Sequence, residues 1–143
     1  MTDKIFFDTN LIVYLFDKGE RKKREKIINV LNELSGKSKL FISSQVINEF
    51  INVVFKKIEH RLSGKDLIER VKFLEDIFTI TPVSYNTSVN AIKIKEKYSY
   101  SFWDSLIIAS ALESDCNLLF TEDLQSGQKI ENQLEIINPL KQA

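Results

Sequence analysis

The chain has 143 residues, 43% of them apolar and 28% charged, the profile of one ordinary globular domain able to bury about two thirds of its unfolded surface. Twenty basic side chains balance twenty acidic ones, so overall charge does not single out a polyanion as the partner. Four glycines and two prolines are too few for a many-turned β-sandwich, and one cysteine with one histidine excludes an internal disulfide and the multi-cysteine or multi-histidine metal sites.

In chain order, Lys4-Ile5-Phe6-Phe7 predicts a first strand stopped by the turn Asp8-Thr9-Asn10, and Leu11, Ile12, Tyr14, Leu15 and Phe16 resume at helical spacing. That opening apolar run is too short for a signal peptide or a membrane span, so the expectation is a cytoplasmic chain with no membrane association. A helix follows over Gly19 to Leu34 behind a basic start, ended by Ser35-Gly36-Lys37. Leu40-Phe41-Ile42 predicts a second strand, and Ser43 or Ser44 caps a helix running to about His60. After the break at Ser63-Gly64, Leu67, Ile68, Val71, Leu74, Ile77 and Phe78 mark a helix over Lys65 to Phe78.

Thr79 to Val83 is β-branched and predicts a third strand. Asn86 or Thr87 is the expected cap of a helix over Ser88 to Tyr98. The next helix, Trp103 to Glu113, is apolar on most faces and therefore expected to be buried. Asn117 to Thr121 predicts a fourth strand, Gly127 a turn, and Leu134 to Ile137 a short fifth strand. Strands alternating with helices imply an α/β fold: a three-layer α/β/α arrangement with a short central parallel sheet of four to five strands, one domain over residues 1–143. Ligands of such sheets bind beyond the carboxyl ends of the strands.

Four carboxylates fall at that edge. Asp8 follows the first strand, Glu49 flanks the apolar stripe of the third helix, Asp104 opens the most apolar helix, and Asp123 follows the fourth strand. Taken singly, each has a plain reading as a helix cap, a boundary glutamate or a turn aspartate. Taken together, they would share one small cleft and repel one another unless a cation neutralised them. With no histidine or thiolate cluster on offer, hard oxygen ligands select Mg²⁺ or Mn²⁺, ions suited to in-line displacement at a phosphodiester. Glu122 beside Asp123 is a second candidate for the fourth acid. His60 reads as a polar helix-end residue and Cys116 as a small packed one. Basic stretches at Lys18 to Lys26 and at Lys56, Lys57, Arg61, Lys65, Arg70 and Lys72 could meet an anionic polymer, or simply be solvated helix faces.

Four segments carry a resemblance: Phe7-Asp8-Thr9-Asn10-Leu11-Ile12-Val13-Tyr14, Ser44-Gln45-Val46-Ile47-Asn48-Glu49-Phe50, Ser101-Phe102-Trp103-Asp104-Ser105-Leu106-Ile107-Ile108-Ala109 and Leu119-Phe120-Thr121-Glu122-Asp123-Leu124-Gln125-Ser126-Gly127. In order and spacing they resemble the motif regions of PIN-domain ribonucleases. The closing Gly127-Gln128-Lys129-Ile130 and Ile136-Ile137-Asn138-Pro139 are similar to the tail of the VapC-like branch, the toxins of toxin–antitoxin pairs. The resemblance implies a metal-dependent endoribonuclease in which Asp8, Glu49, Asp104 and Asp123 match the acidic quartet that binds Mg²⁺ or Mn²⁺. It also implies that Thr9, Asn10 and Thr121 match supporting polar positions. Further implied are RNA as substrate, tRNA or mRNA, an antitoxin protein as partner, and a homodimer. Ser105 stands where the family commonly carries alanine. A non-catalytic module of the same fold, binding RNA or protein, is the alternative. A phosphoacceptor domain with Asp8 as the modified residue ranks below both, because it would want further acids just before Asp8 and a lysine after a late strand.

Overall fold

The computed structural model describes residues 2–57 and 62–141. Strand β1 (Lys4–Phe7) leads into α1 (Thr9–Phe16) and α2 (Arg21–Leu34); β2 (Lys39–Ser43) leads into α3 (Ser44–Lys57) and α4 (Gly64–Ile77). Then come β3 (Thr79–Thr81), α5 (Tyr85–Tyr98), α6 (Phe102–Glu113), β4 (Leu118–Phe120), β5 (Lys129–Ile130) and β6 (Leu134–Ile137). The strands form one sheet in the order β3-β2-β1-β4-β6-β5. All pairings are parallel except that of β5 with β6.

Successive strand side chains point to opposite faces, yet Ile5, Phe6 and Phe7 are all fully buried. Both faces of the sheet are therefore covered, as a parallel sheet with crossover helices requires. Phe7 meets Phe78 and Phe120 with ring centroids 5.2 Å apart, and Phe50 of α3 is packed against Phe16 of α1. A smaller cluster of Ala91, Leu106 and Ala109 joins α5 to α6. Every residue of α6 from Ser105 to Ala111 is buried, as its all-round apolar character predicts.

The structure refines several expected boundaries. Helix α1 begins at Thr9, two residues before the apolar spacing indicates, because the Asp8 carboxylate accepts from Thr9 N and caps it. Helix α5 is capped by Ser84, not by Asn86 or Thr87. Ser84 Oγ accepts from Thr87 N, and Thr87 Oγ1 accepts from Ser84 N in a reciprocal capping box, so the helix starts one turn sooner. Strand β3 stops at Thr81, before Pro82. The described part of α3 ends at Lys57; His60 and Arg61 lie outside the described residues.

The sheet also gains β5. The chain reverses over Ile130 to Gln133, with Glu131 and Asn132 at φ 53° and 54° and Gln133 N donating to Ile130 O at 3.0 Å. Two successive positive φ values are those of the mirror-image turn that matches strand twist.

The chain runs outward from β1 through β2 to β3, then returns to place β4 on the other side of β1. The strand order reverses between β1 and β4, so the carboxyl ends of these two strands are the crevice position at which open α/β sheets bind ligands.

Candidate active site

Strands β1 and β4 end in register, Phe7 opposite Phe120, so the residues that follow them are neighbours at the crevice. Asp8 N donates to Phe120 O at 3.0 Å, and Thr121 N to Ile137 O at the same distance, which carries the ladder one residue past the strands. Asp8 is consequently only 7% exposed. Its Oδ1 accepts from Thr9 N at 2.7 Å and its Oδ2 from Thr121 Oγ1 at 2.7 Å. Burial pushes this carboxyl from its ordinary 3.8 up to about 6; the two hydrogen bonds pull the other way, and the charges of Asp123 and Asp104 add to the rise.

Asp104 lies in the first turn of α6, half-buried, where its backbone N–H donates to Ser101 Oγ, the helix cap, at 3.1 Å. Asp123 is more open to solvent. Its N–H donates to Thr121 Oγ1 at 3.1 Å, and Asn10 Nδ2 donates to its Oδ2 at 2.5 Å. Desolvation, followed by the charges of Glu122 and Asp104, raises the Asp123 carboxyl above its ordinary value, with Lys23 opposing. Glu49 of α3 is half-buried. Thr9 Oγ1 donates to its Oε1 at 2.5 Å and Gln45 Nε2 to its Oε2 at 3.1 Å. The same Gln45 Nε2 donates to Trp103 O at 3.2 Å, tying Glu49 to the start of α6.

One hydrogen-bonded frame thus links the four segments. Thr9 bridges Asp8 and Glu49, Thr121 bridges Asp8 and the Asp123 backbone, and Asn10 fixes Asp123. The charge of Asp104 reaches both neighbours and helps raise the carboxyls of Asp8 and Asp123. Glu122 is engaged elsewhere. Lys23 Nζ pairs with it at 3.2 Å, the Tyr14 hydroxyl hydrogen-bonds to it, and Lys23 Nζ also donates to Tyr14 Oη at 3.1 Å.

Tyr14, Lys23 and Gln45 have roles that the motifs do not announce. The i, i+4 spacing of Gln45 and Glu49 is a local signal that could have been read. Tyr14 and Lys23 are 108 and 99 residues from Glu122, and no local pattern links them. The basic stretch is partly consumed by the fold as well: Arg24 Nε donates to Leu15 O, Lys26 Nζ to Leu140 O, and Lys57 pairs with Asp17.

The donor set at the crevice is all oxygen, which fits Mg²⁺ or Mn²⁺ and not the softer ions. Among the described residues, no three carboxylate, thiol or imidazole groups converge tightly enough to hold an ion as they stand. To hold one there, the more exposed Asp123 and Asp104 would have to turn toward the fixed Asp8.

A mostly parallel sheet covered by helices on both faces places the chain in the α/β class. The family model of the PIN domain matches residues 5–128, and the chain belongs to the PIN domain family. Among solved structures it is similar to a toxin–antitoxin complex from Klebsiella pneumoniae, with TM-score 0.68 and 18% identity, covering 94% of this chain and 97% of that one. VapBC2 from Rickettsia felis, bound to a DNA fragment from its promoter, gives TM-score 0.68 at 20% identity over 94% and 99% of the two chains. The Mycobacterium tuberculosis toxin VapC20, described as cleaving the sarcin-ricin loop, gives 0.66 at 17% over 83% and 91%. These likenesses establish a shared fold. No curated protein matches the sequence significantly.

Proposed function

We propose that this chain, as one domain over residues 1–143, is a metal-dependent endoribonuclease that hydrolyses RNA phosphodiester bonds, and that it is the toxin of a cytoplasmic toxin–antitoxin pair. The observation that carries the reading is Asp8. A buried carboxylate held by two hydrogen bonds and facing two further aspartates is unfavourable when ionised, and a bound cation is what makes such a site useful.

Asp8, Asp104 and Asp123 would hold Mg²⁺ or Mn²⁺, with Glu49 as the fourth acid. Asp123 is preferred over Glu122 because Lys23 and Tyr14 already satisfy Glu122. Such an ion, when bound, supplies the positive charge and Lewis acidity that phosphodiester hydrolysis needs. The chain's own part is orientation. Thr9 and Thr121 fix both oxygens of Asp8, and Thr9 with Gln45 holds Glu49, so these two carboxylates would present set directions to the ion, while Asp123, held by the Asn10 amide, and Asp104 would turn toward it.

An antitoxin protein covering the acidic crevice is the partner this reading assigns, and the description of the Klebsiella pneumoniae neighbour as a toxin–antitoxin complex supports it. A homodimer is supported by Tyr85, Val89 and Ile92, exposed apolar residues on one face of α5. The deciding experiment incubates purified protein with a mixed tRNA and mRNA pool in Mg²⁺ or Mn²⁺, beside EDTA and Asp104→Asn controls. Cutting that needs the ion and is lost in folded Asp104→Asn supports the proposal. A folded wild-type protein that neither binds Mn²⁺ nor cuts RNA overturns it in favour of a non-catalytic module.

A further inference from the structure

Beside Glu49, between α3, Val83 and the start of α6, lies a cavity of about 400 Å³, within the range of small-ligand sites. Its lining includes Gln45, Asn48 and Asn52, which the spacings of three and four place on one face of α3, and Trp103 of α6. No lysine or arginine is among the residues that line it. That composition suits a neutral planar group with hydrogen-bonding edges better than it suits a phosphate.

Two observations point to such an occupant. Trp103 is 62% exposed despite its size, and its ring is held by an edge-to-face contact with Phe102, centroids 5.3 Å apart, so an aromatic surface stands ready at the cavity mouth. Gln45 is only 7% exposed. Its amide nitrogen is committed to Glu49 and to Trp103 O, which orients the amide and leaves Oε1 buried without a partner. A buried acceptor with no donor is costly, and its cost disappears when a ligand N–H reaches it.

We propose that this cavity seats one unpaired nucleobase of an RNA strand, stacked on Trp103 with its polar edge toward Gln45, Asn48 and Asn52. Proteins read single-stranded RNA in this way, by an aromatic platform and side-chain amides on exposed base edges. Glu49 belongs both to the cavity lining and to the acidic group at the crevice, so a base seated here places the neighbouring backbone beside the carboxylates. The inference rests on the reading of the chain as a ribonuclease, and it adds the residues that choose where along a strand the cut falls.

Trp103 is the chain's single tryptophan, so tryptophan emission, excited selectively over the tyrosines, reports on this cavity. The intact protein, with Ca²⁺ present in place of Mg²⁺ or Mn²⁺ to screen the acids, is titrated with a mixed-sequence single-stranded RNA hexamer and, separately, with an abasic sugar-phosphate oligomer of equal length. Saturable quenching by the RNA and none by the abasic oligomer is expected. By fluorescence anisotropy of labelled RNA, Trp103→Ala should weaken binding about tenfold, Trp103→Phe should recover most of that loss, and Asn52→Ala should weaken binding by several-fold. Equal quenching by the abasic oligomer, or undiminished binding by Trp103→Ala, overturns the proposal. The two readings separate cleanly. Metal-dependent cleavage with Trp103 unquenched by RNA removes the base seat and leaves the nuclease, whereas base-dependent quenching by a protein that neither binds Mn²⁺ nor cuts RNA keeps the seat and removes the nuclease.

Discussion

Replacing Asp8 with asparagine should make the protein more stable at neutral pH while destroying the acidic centre. Asp8 titrates near 6 in the folded chain against 3.8 in the unfolded one, so the native state binds the extra proton between those values. Stability from this group is therefore full below pH 3.8, falls as pH rises, and is gone above about 6. The difference corresponds to about 3 kcal/mol at neutral pH, from ~1.4 kcal/mol per tenfold.

Asp8→Asn removes that cost and keeps the shape. Its amide N–H₂, however, faces Thr121 Oγ1, which now donates to Asp8 and accepts from Asp123 N, so one hydrogen bond is degraded at about 1 kcal/mol. The net expectation in EDTA is a gain of about 2 kcal/mol at pH 7.5, roughly 7 °C in Tm, turning into a loss of about 1 kcal/mol at pH 3.5. Thermal and urea unfolding followed by circular dichroism over that pH range measure the difference. Added Mn²⁺ should reverse the neutral-pH order, because an ion that binds only the folded wild-type chain stabilises it by mass action. A mutant less stable than wild type at pH 7.5 in EDTA, or a difference independent of pH, would refute the electrostatic account of Asp8.

Three further outcomes can be checked by similar means. Ser101→Ala removes the α6 cap, whose Oγ accepts from Asp104 N at 3.1 Å; it should cost about 1 kcal/mol in urea unfolding and also lower Mn²⁺ affinity in calorimetry, because Asp104 stands on the frayed turn. Ser105→Ala should stabilise by up to about 1 kcal/mol, since Ser105 is fully buried with an unpartnered Oγ, and a loss of stability would mean that the hydroxyl has a partner. The Cys116 thiol, buried and pushed up to about 12 by desolvation, should resist a thiol-specific disulfide reagent at pH 8 in the native protein and react only as urea unfolds it; rapid native labelling would contradict this.

The parallel sheet was legible because it rests on local patterns. A run of three apolar residues such as Ile5-Phe6-Phe7 or an all-round apolar helix such as α6 has few alternatives to burial inside a layered fold. What escaped are features whose cause is not local. The β5–β6 hairpin turns through Glu131 and Asn132 at positive φ, but the usual signal for that turn is a glycine, and glutamate does not advertise it. The Ser84 cap carries no stronger signal, because its partner three residues on is Thr87 and not the Glu or Gln of the common box.

The candidate site divides along the same line. The order of Asp8, Glu49, Asp104 and Asp123 along the chain, together with strand topology, places all four toward one crevice, because each belongs to a strand end or a helix beside that edge. Whether Glu122 or Asp123 faces the crevice is a question of who else wants a carboxylate. Consecutive residues past a strand point in different directions, and it is Lys23, from the helix after α1, that pairs with Glu122 alongside Tyr14. The basic run that sequence presents as a possible RNA surface therefore does part of its work inside the molecule, by occupying one of two adjacent acids. Charge read along a chain counts every lysine as free, whereas in the fold a lysine's meaning is set by the nearest carboxylate that has no better partner. The Asp123 carboxylate has, among the described residues, no hydrogen-bond partner but the Asn10 amide, and that difference supports the proposal that it, and not Glu122, has charge left to offer a cation.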